Sequence, residues 1–170
     1  MPATPVLDPS GLLSVLARND VRFVVIGGIA GTLHGSTTLT ADLDILFDRD
    51  AANLDRLAAA LLELHAVRRD LPTGVKAPID ARALRNGTTF LLSTDLGDLD
   101  CIAETASGGF TYGDIAPTAE KMRIGRELDV FVAGLDELIR MKRATGRPKD
   151  RIEVETLGAL LAQRAKRRRR

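Results

Sequence analysis

Apolar and polar positions change period several times along the chain, and each change marks an element. Leu12, Leu13, Leu16 and Ala17 recur at helical spacing, so 7–18 reads as a short amphipathic helix, with Asp8 or Ser10 as its cap and Asn19-Asp20 as its end. The near-continuous apolar run 21–26 has the character of a buried central strand. Gly27-Gly28 then turns the chain into a small-residue helix over 29–34. A second strand spans 41–47, followed by a long helix over 51–64. The stretch 68–86 is irregular, with Pro72, Gly74 and Pro78, and predicts a loop with an irregular strand. Strands over 88–92 and 98–103 follow, separated by a turn at 95–97, then a Gly-rich loop at 107–109 and a short helical segment near 118–122. A last strand covers 127–132. From Leu135 the pattern is helical, broken at Gly146-Arg147-Pro148, with Pro148 suited to the first turn of the final helix.

This order predicts an α/β (α+β) fold: a mixed sheet of about five strands with flanking helices and a helical C-terminal portion. At 170 residues the chain has the size of one domain. We divide it into a core over 1–134 and C-terminal helices over 135–170 that end in a basic tail at 164–170. No apolar run approaches the roughly 18 residues of a membrane span. The N-terminal stretch lacks the charge and apolar pattern of a signal peptide, and Cys101 is the single cysteine, which together predict a cytoplasmic protein without membrane contact. The net charge of +1 conceals an asymmetry, because six of the 24 basic residues lie in 164–170 and the remaining 18 face 23 acids. A mildly acidic body with a cationic tail fits a phosphate-backbone partner, and also a solvated helix end.

The chemistry sits where the second strand begins. Asp42 and Asp44 are two apart, so both carboxylates project from one face while Leu43 and Ile45 point to the other. Two acids so close repel unless a cation lies between them. Hard oxygen ligands on a rigid strand suit Mg²⁺, whose remaining positions are commonly taken by water and substrate phosphates. Gly27 and Gly28 permit a tight strand-to-helix turn where a phosphate can approach backbone N–H groups, and Ser36, Thr37 and Thr38 add hydroxyl donors. A dinucleotide-binding turn is a poor alternative, since residues 26–31 lack the first glycine of G-x-G-x-x-G in that register. For a third acid, Asp98 and Asp100 in "LGDLDCIAE" both qualify on their own merits. Cys101 reads as a small core residue, His34 as a helix-terminal packing or hydrogen-bonding group, and His65 has no assigned role.

A hydrophobic-Gly-Gly turn, a thirteen-residue gap and a strand carrying Asp-x-Asp resemble the nucleotidyltransferases of the polymerase-beta superfamily. With His34-Gly35 after the helix and Thr40 two residues before the first acid, the pattern resembles the minimal nucleotidyltransferases and the AbiEii/MenT-type toxin nucleotidyltransferases of toxin–antitoxin systems. Leu39 departs from it, standing where many relatives place a polar residue. The resemblance implies a nucleotidyltransferase fold and one or two Mg²⁺ ions held by Asp42, Asp44 and a third carboxylate, for which its Gly-x-hydrophobic-Asp pattern selects Asp100. Gly27, Gly28, Ser36 and Lys142 would hold the NTP phosphates, and Asp150 would belong to the catalytic set. Without the resemblance, Lys142 reads as a solvated last-turn cation and Asp150 as a first-turn acid complementing the helix dipole. The expected activity is transfer of nucleotides from NTP, ATP included, to the 3′ end of tRNA, blocking translation, with Arg68, Arg69, Lys76, Arg82 and Arg85 and the basic tail gripping RNA. A cognate antitoxin is the expected protein partner. The alternatives are nucleotidylation of a partner protein or small molecule, and a non-catalytic antitoxin or binding module of the same fold. A phosphate on Thr40, one strand repeat before Asp42, would place negative charge beside the acids and disable the site.

Overall fold

The computed structural model describes residues 5–72 and 74–169. Helix α1 (Pro9–Arg18) starts at Asp8, whose carboxylate accepts from the Gly11 N–H at 2.9 Å, and proline occupies its first turn. Strand β1 (Phe23–Ile26) is buried along its length and runs directly into α2 (Gly27–Leu33). Strand β2 (Asp42–Phe47) buries Leu43 and the run Ile45 to Phe47, while Asp42 and Asp44 stay half-buried, the two-residue alternation expected of its sequence. Helix α3 (Ala51–Glu63), capped by Asp50, packs on α1 and on α4 (Ala81–Asn86).

The remaining strands are β3 (Val67–Arg68), β4 (Thr89–Thr94), β5 (Gly97–Ile102), β6 (Glu120–Ile124) and β7 (Leu128–Val132), with the short helix α5 (Tyr112–Ile115) and a 3-10 turn (Ala116–Thr118) before β6. Together the described residues form one mixed sheet in the order β3-β4-β5-β2-β1-β7-β6. Strands β2 and β5 are parallel, as are β1 and β7, and the other neighbours are antiparallel. Helices α6 (Leu135–Thr145) and α7 (Pro148–Arg168) form a hairpin around Gly146, which has φ +64° and ends α6 in the left-handed conformation glycine accepts without strain.

The sheet has seven strands among the described residues where about five were expected. The segment near 118–122 is largely strand rather than helix: in β6, Met122 and Ile124 turn inward while Lys121 and Arg123 face solvent, a period of two. The irregular 68–86 stretch takes in the second residue of the two-residue β3 and the whole of the six-residue α4, each element too short to impose a period. Asp80 starts α4 by accepting from the Ala83 N–H at 2.8 Å, and Leu84 anchors it in the core. No helix among the described residues is long and apolar enough to cross a membrane.

Candidate active site

Strand pairing builds the centre of the site. The parallel register of β2 and β5 sets Asp42 beside Asp98 and Asp44 beside Asp100, so four carboxyl-bearing residues rise from one face at the middle of the sheet. Asp42, Asp44 and Asp100 converge, each offering an oxygen within 4.8 Å of the others. Asp98 is held aside, where the Ser93 hydroxyl donates to it at 2.8 Å. Of the two candidates for third acid, the one that joins the cluster is Asp100.

Unit charges about 4 Å apart interact by about 4 kcal/mol at an effective dielectric of about 20, so such a cluster resists full ionisation. Burial, with Asp42 and Asp100 adding their charge, pushes the Asp44 carboxyl up to about 7, against the pull of Lys142 and Arg69. Burial likewise pushes Asp100 up to about 6, although the Arg69 guanidinium lowers it by its charge and by hydrogen bonding. Three converging hard oxygen donors fit a divalent cation of the Mg²⁺ kind. The Thr40 hydroxyl fixes one of the donors by donating to Asp42 Oδ1 at 2.9 Å.

The double glycine is explained by what crowds it. Gly27 has φ +68°, and a Cβ there would lie 2.8 Å from Asp44 Cγ. A Cβ on Gly28 would lie 2.6 Å from the Thr40 Cβ. Both positions must therefore lack a side chain for α2 to start hard against the Asp44 carboxylate and the loop leading to β2. Ser36 lies deeper than expected: it is buried, and its hydroxyl shapes the loop through Thr38, donating to Thr38 Oγ1 and accepting from the Thr38 N–H, both at 3.2 Å. Thr38 and Thr40, rather than Ser36, line the open cavity.

The α6–α7 hairpin closes the other side. Lys142 is only 17 % exposed and pairs with Glu153, with Asp150 Oδ1 at 3.5 Å. Asp150, 1 % exposed, accepts from the Thr145 hydroxyl at 2.9 Å and from Arg147 Nε at 2.8 Å. Burial opposes its charge, but the hydrogen bonds from Arg147 and Thr145 and the Lys142 charge outweigh it and hold the carboxyl down to about 2. Neither residue is a solvated helix-end charge. Asp150 is instead the anchor that fixes the turn carrying Arg147 and the end of α6 carrying Lys142.

Two cavities meet at the acid cluster. One of about 640 Å³ is lined by Gly28, Thr38, Thr40, the three acids and the cations Lys142, Arg147 and Lys149. The other, about 240 Å³, shares Asp44, Lys142 and Arg147 but is walled by Ile26, Ile102, Leu138 and Met141, with Thr89, Thr105 and Ser107 supplying hydroxyls. A cation-lined chamber that holds the three acids and shares Asp44 with a largely apolar one suits a molecule with an anionic end and a flat or apolar end. Over 91% of its length the chain superimposes on a lincosamide antibiotic adenylyltransferase, LnuA, solved with lincomycin bound, with a TM-score of 0.61 and 12% identity, covering 98% of that chain. The fold is nucleotidyltransferase-like. ANT(2″)-Ia, solved in complex with adenylyl-2″-tobramycin, matches with a TM-score of 0.51 and 17% identity over 92% of this chain and 94% of its own. An antigenic nucleotidyltransferase-like protein from Paracoccidioides brasiliensis matches with a TM-score of 0.52 and 16% identity over 92% of this chain and 78% of its own. No protein-family model and no curated protein matches the sequence.

Three residues of this site were not placed in it by the sequence pattern. Glu153 lies one turn beyond Asp150 on the face of α7 that also carries Leu157, and a charge on that apolar face was the available signal. Arg147 was visible only as one cation in a turn. Arg69 reaches Asp100, Asp98 and Asp42 from beyond β3 at the far edge of the sheet, and no sequence spacing announces that. His34 ends α2: its Nε2 lies 2.7 Å from the Ala133 carbonyl, and Arg164 donates to its Nδ1 at 2.8 Å while also binding Glu120. Cys101 is fully buried, and burial pushes its thiol up, so it serves the core.

Proposed function

We propose that the protein is a metal-dependent nucleotidyltransferase that moves a nucleoside monophosphate from an NTP to an acceptor hydroxyl. The observation that carries the reading is the convergence of Asp42, Asp44 and Asp100 in the cation-lined chamber, with Asp44 also bordering the apolar one. Asp42, Asp44 and Asp100 would hold Mg²⁺, which when bound supplies charge neutralisation at the α-phosphate and at the departing pyrophosphate. Lys142, Arg147 and Lys149 face the chamber where the β and γ phosphates belong, and positioning and charge stabilisation account for most of the catalysis in phosphoryl chemistry. Gly27 and Gly28 let the phosphates approach the backbone at the start of α2, and Ser36 supports that loop from beneath. Asp100 takes up the proton of the acceptor hydroxyl. Asp150 keeps Lys142 and Arg147 in place.

The acceptor is a small hydroxyl-bearing molecule in our first reading. Two of the cations expected to grip RNA are engaged within the chain: Arg68 pairs with Asp70 and lies over the Phe90 ring, and Arg69 sits among the acids. Arg164 at the base of the tail is likewise tied to Glu120. Both antibiotic-modifying neighbours span nearly their whole length on this chain, which supports a small acceptor by analogy of fold. A tRNA acceptor, with a toxin role and a cognate antitoxin, remains the second reading because Lys166 to Arg169 form an exposed cationic run at the end of α7. Incubation with each α-labelled NTP and Mg²⁺, offered separately with total RNA and with a panel of aminoglycosides and other hydroxylated compounds, tests both. Label entering the small molecules and lost in Asp44→Asn supports the first reading, whereas label entering RNA alone replaces it with the second. Label entering neither, with pyrophosphate retained in every NTP, rejects both acceptors.

A further inference from the structure

Among the described residues Arg69 is the one cation paired with the acid cluster, and it comes from outside the hairpin that supplies the other cations of the chamber. Its backbone N–H donates to the Leu91 carbonyl at 3.0 Å, pinning the residue beside β4. From there the guanidinium hydrogen-bonds Asp100, while its Nε lies 3.5 Å from Asp98 Oδ2 and its Nη2 lies 3.8 Å from Asp42 Oδ2. Two of those three carboxylates, Asp42 and Asp100, are also members of the converging triad, and Asp98 is not. A planar guanidinium and a divalent ion therefore draw on the same two carboxylates and compete for them. The guanidinium is about one-third exposed, so it can leave the triad toward solvent without unpacking the core.

Resting on the reading of the triad as a divalent-cation site, the geometry points to Arg69 as the resident counter-ion of that site, exchanged for the incoming metal and retained at the rim by Asp98. This gives the fourth acid a task. Asp98 accepts from Ser93 Oγ, stays out of the triad, and offers the displaced guanidinium a partner that the metal does not use. Without the metal, Arg69 offsets the mutual repulsion of Asp42, Asp98 and Asp100 and keeps the ligands gathered. With it, Arg69 sets a threshold: an ion must compete with a tethered charge before it binds.

The experiment is a titration of the full chain with Mn²⁺ alone, read by the electron paramagnetic resonance signal of free Mn²⁺, for wild type, Arg69→Gln, Asp98→Asn and the double variant. Arg69→Gln should bind Mn²⁺ about tenfold more tightly, the scale of one partly screened charge pair. Asp98→Asn should weaken binding in the wild-type background and have a markedly smaller effect in the Arg69→Gln background, because its role passes through Arg69. An equal effect of Asp98→Asn in both backgrounds overturns the role given to Asp98. Unchanged or weaker binding by Arg69→Gln, with wild type binding normally, overturns the counter-ion while leaving the metal site intact. No binding by any variant removes the metal site itself, and this inference with it. Arg69→Lys keeps the charge but loses the two-oxygen fork, and it should bind Mn²⁺ more tightly than wild type by a smaller factor; if Arg69→Gln does not fold, the sign of that change decides.

Discussion

Adding one methyl group at Gly27 tests whether the turn exists to bring the helix start against Asp44. The new Cβ would lie 2.8 Å from Asp44 Cγ, closer than real Cβ contacts come, and the backbone at φ +68° would carry alanine in the left-handed region. The conformational part costs about 1–2 kcal/mol. Relief of the clash requires Asp44 to leave its rotamer, adding about 0.5–1.5 kcal/mol. Gly125 provides the control, because it has nearly the same backbone, φ +62°, and no atom within 4 Å of an added Cβ. At about 2–4 °C per kcal/mol for a chain of this size, Gly125→Ala should lower Tm by a few degrees and Gly27→Ala by up to twice as much. The more telling difference is in Mn²⁺ affinity, which should fall by about tenfold or more in Gly27→Ala, since a ligand has been pushed aside, and stay at the wild-type value in Gly125→Ala. Thermal melts and metal titrations on the two variants supply both numbers. Equal behaviour of Gly27→Ala and Gly125→Ala in both assays would refute the reasoning, because only the clash with Asp44 separates them.

Three further outcomes follow from the same geometry. Asp44 and Asp100 bind protons more tightly in the folded chain than carboxyls ordinarily do, so their contribution to stability is fully present below about pH 4 and is lost as pH rises through about 6 to 7; melts across this range should show that loss, with Mg²⁺ restoring more stability at pH 8 than at pH 5. Lys142→Met should raise KM for NTP by about tenfold, and pairing it with Glu153→Gln should recover the stability lost through the stranded carboxylate without recovering KM. Arg164→Ala removes the bonds to Glu120 and His34 and should cost about 1 kcal/mol in a urea melt, an effect absent if the end of α7 is not docked.

The sequence made the centre of the sheet legible because burial writes a clear pattern there. The apolar run before Gly27 and the alternation around Asp42 and Asp44 appear as β1 and β2 within two residues of their expected bounds. The edges were less legible. Strand β6 carries only five residues with two charges facing water, and α4 has a single turn-and-a-half, so local patterns competed on equal terms. In the site, spacing alone placed Asp42 and Asp44 together, but choosing between Asp98 and Asp100 depended on the β2–β5 register and on which carboxylate Ser93 draws away. The burial of Asp150 and the reach of Arg69 depend on tertiary placement, which residue spacing does not encode.

The central claim concerns the donor half of the reaction, and it can be tested without knowing the acceptor. Calorimetric titration with an α,β-methylene NTP analogue, in Mg²⁺ and in chelator, reads the site directly. The account predicts binding that requires Mg²⁺ and disappears in Asp44→Asn while the variant melts as a folded protein. Binding that survives both chelator and Asp44→Asn, or no binding of any such analogue in Mg²⁺, would contradict it.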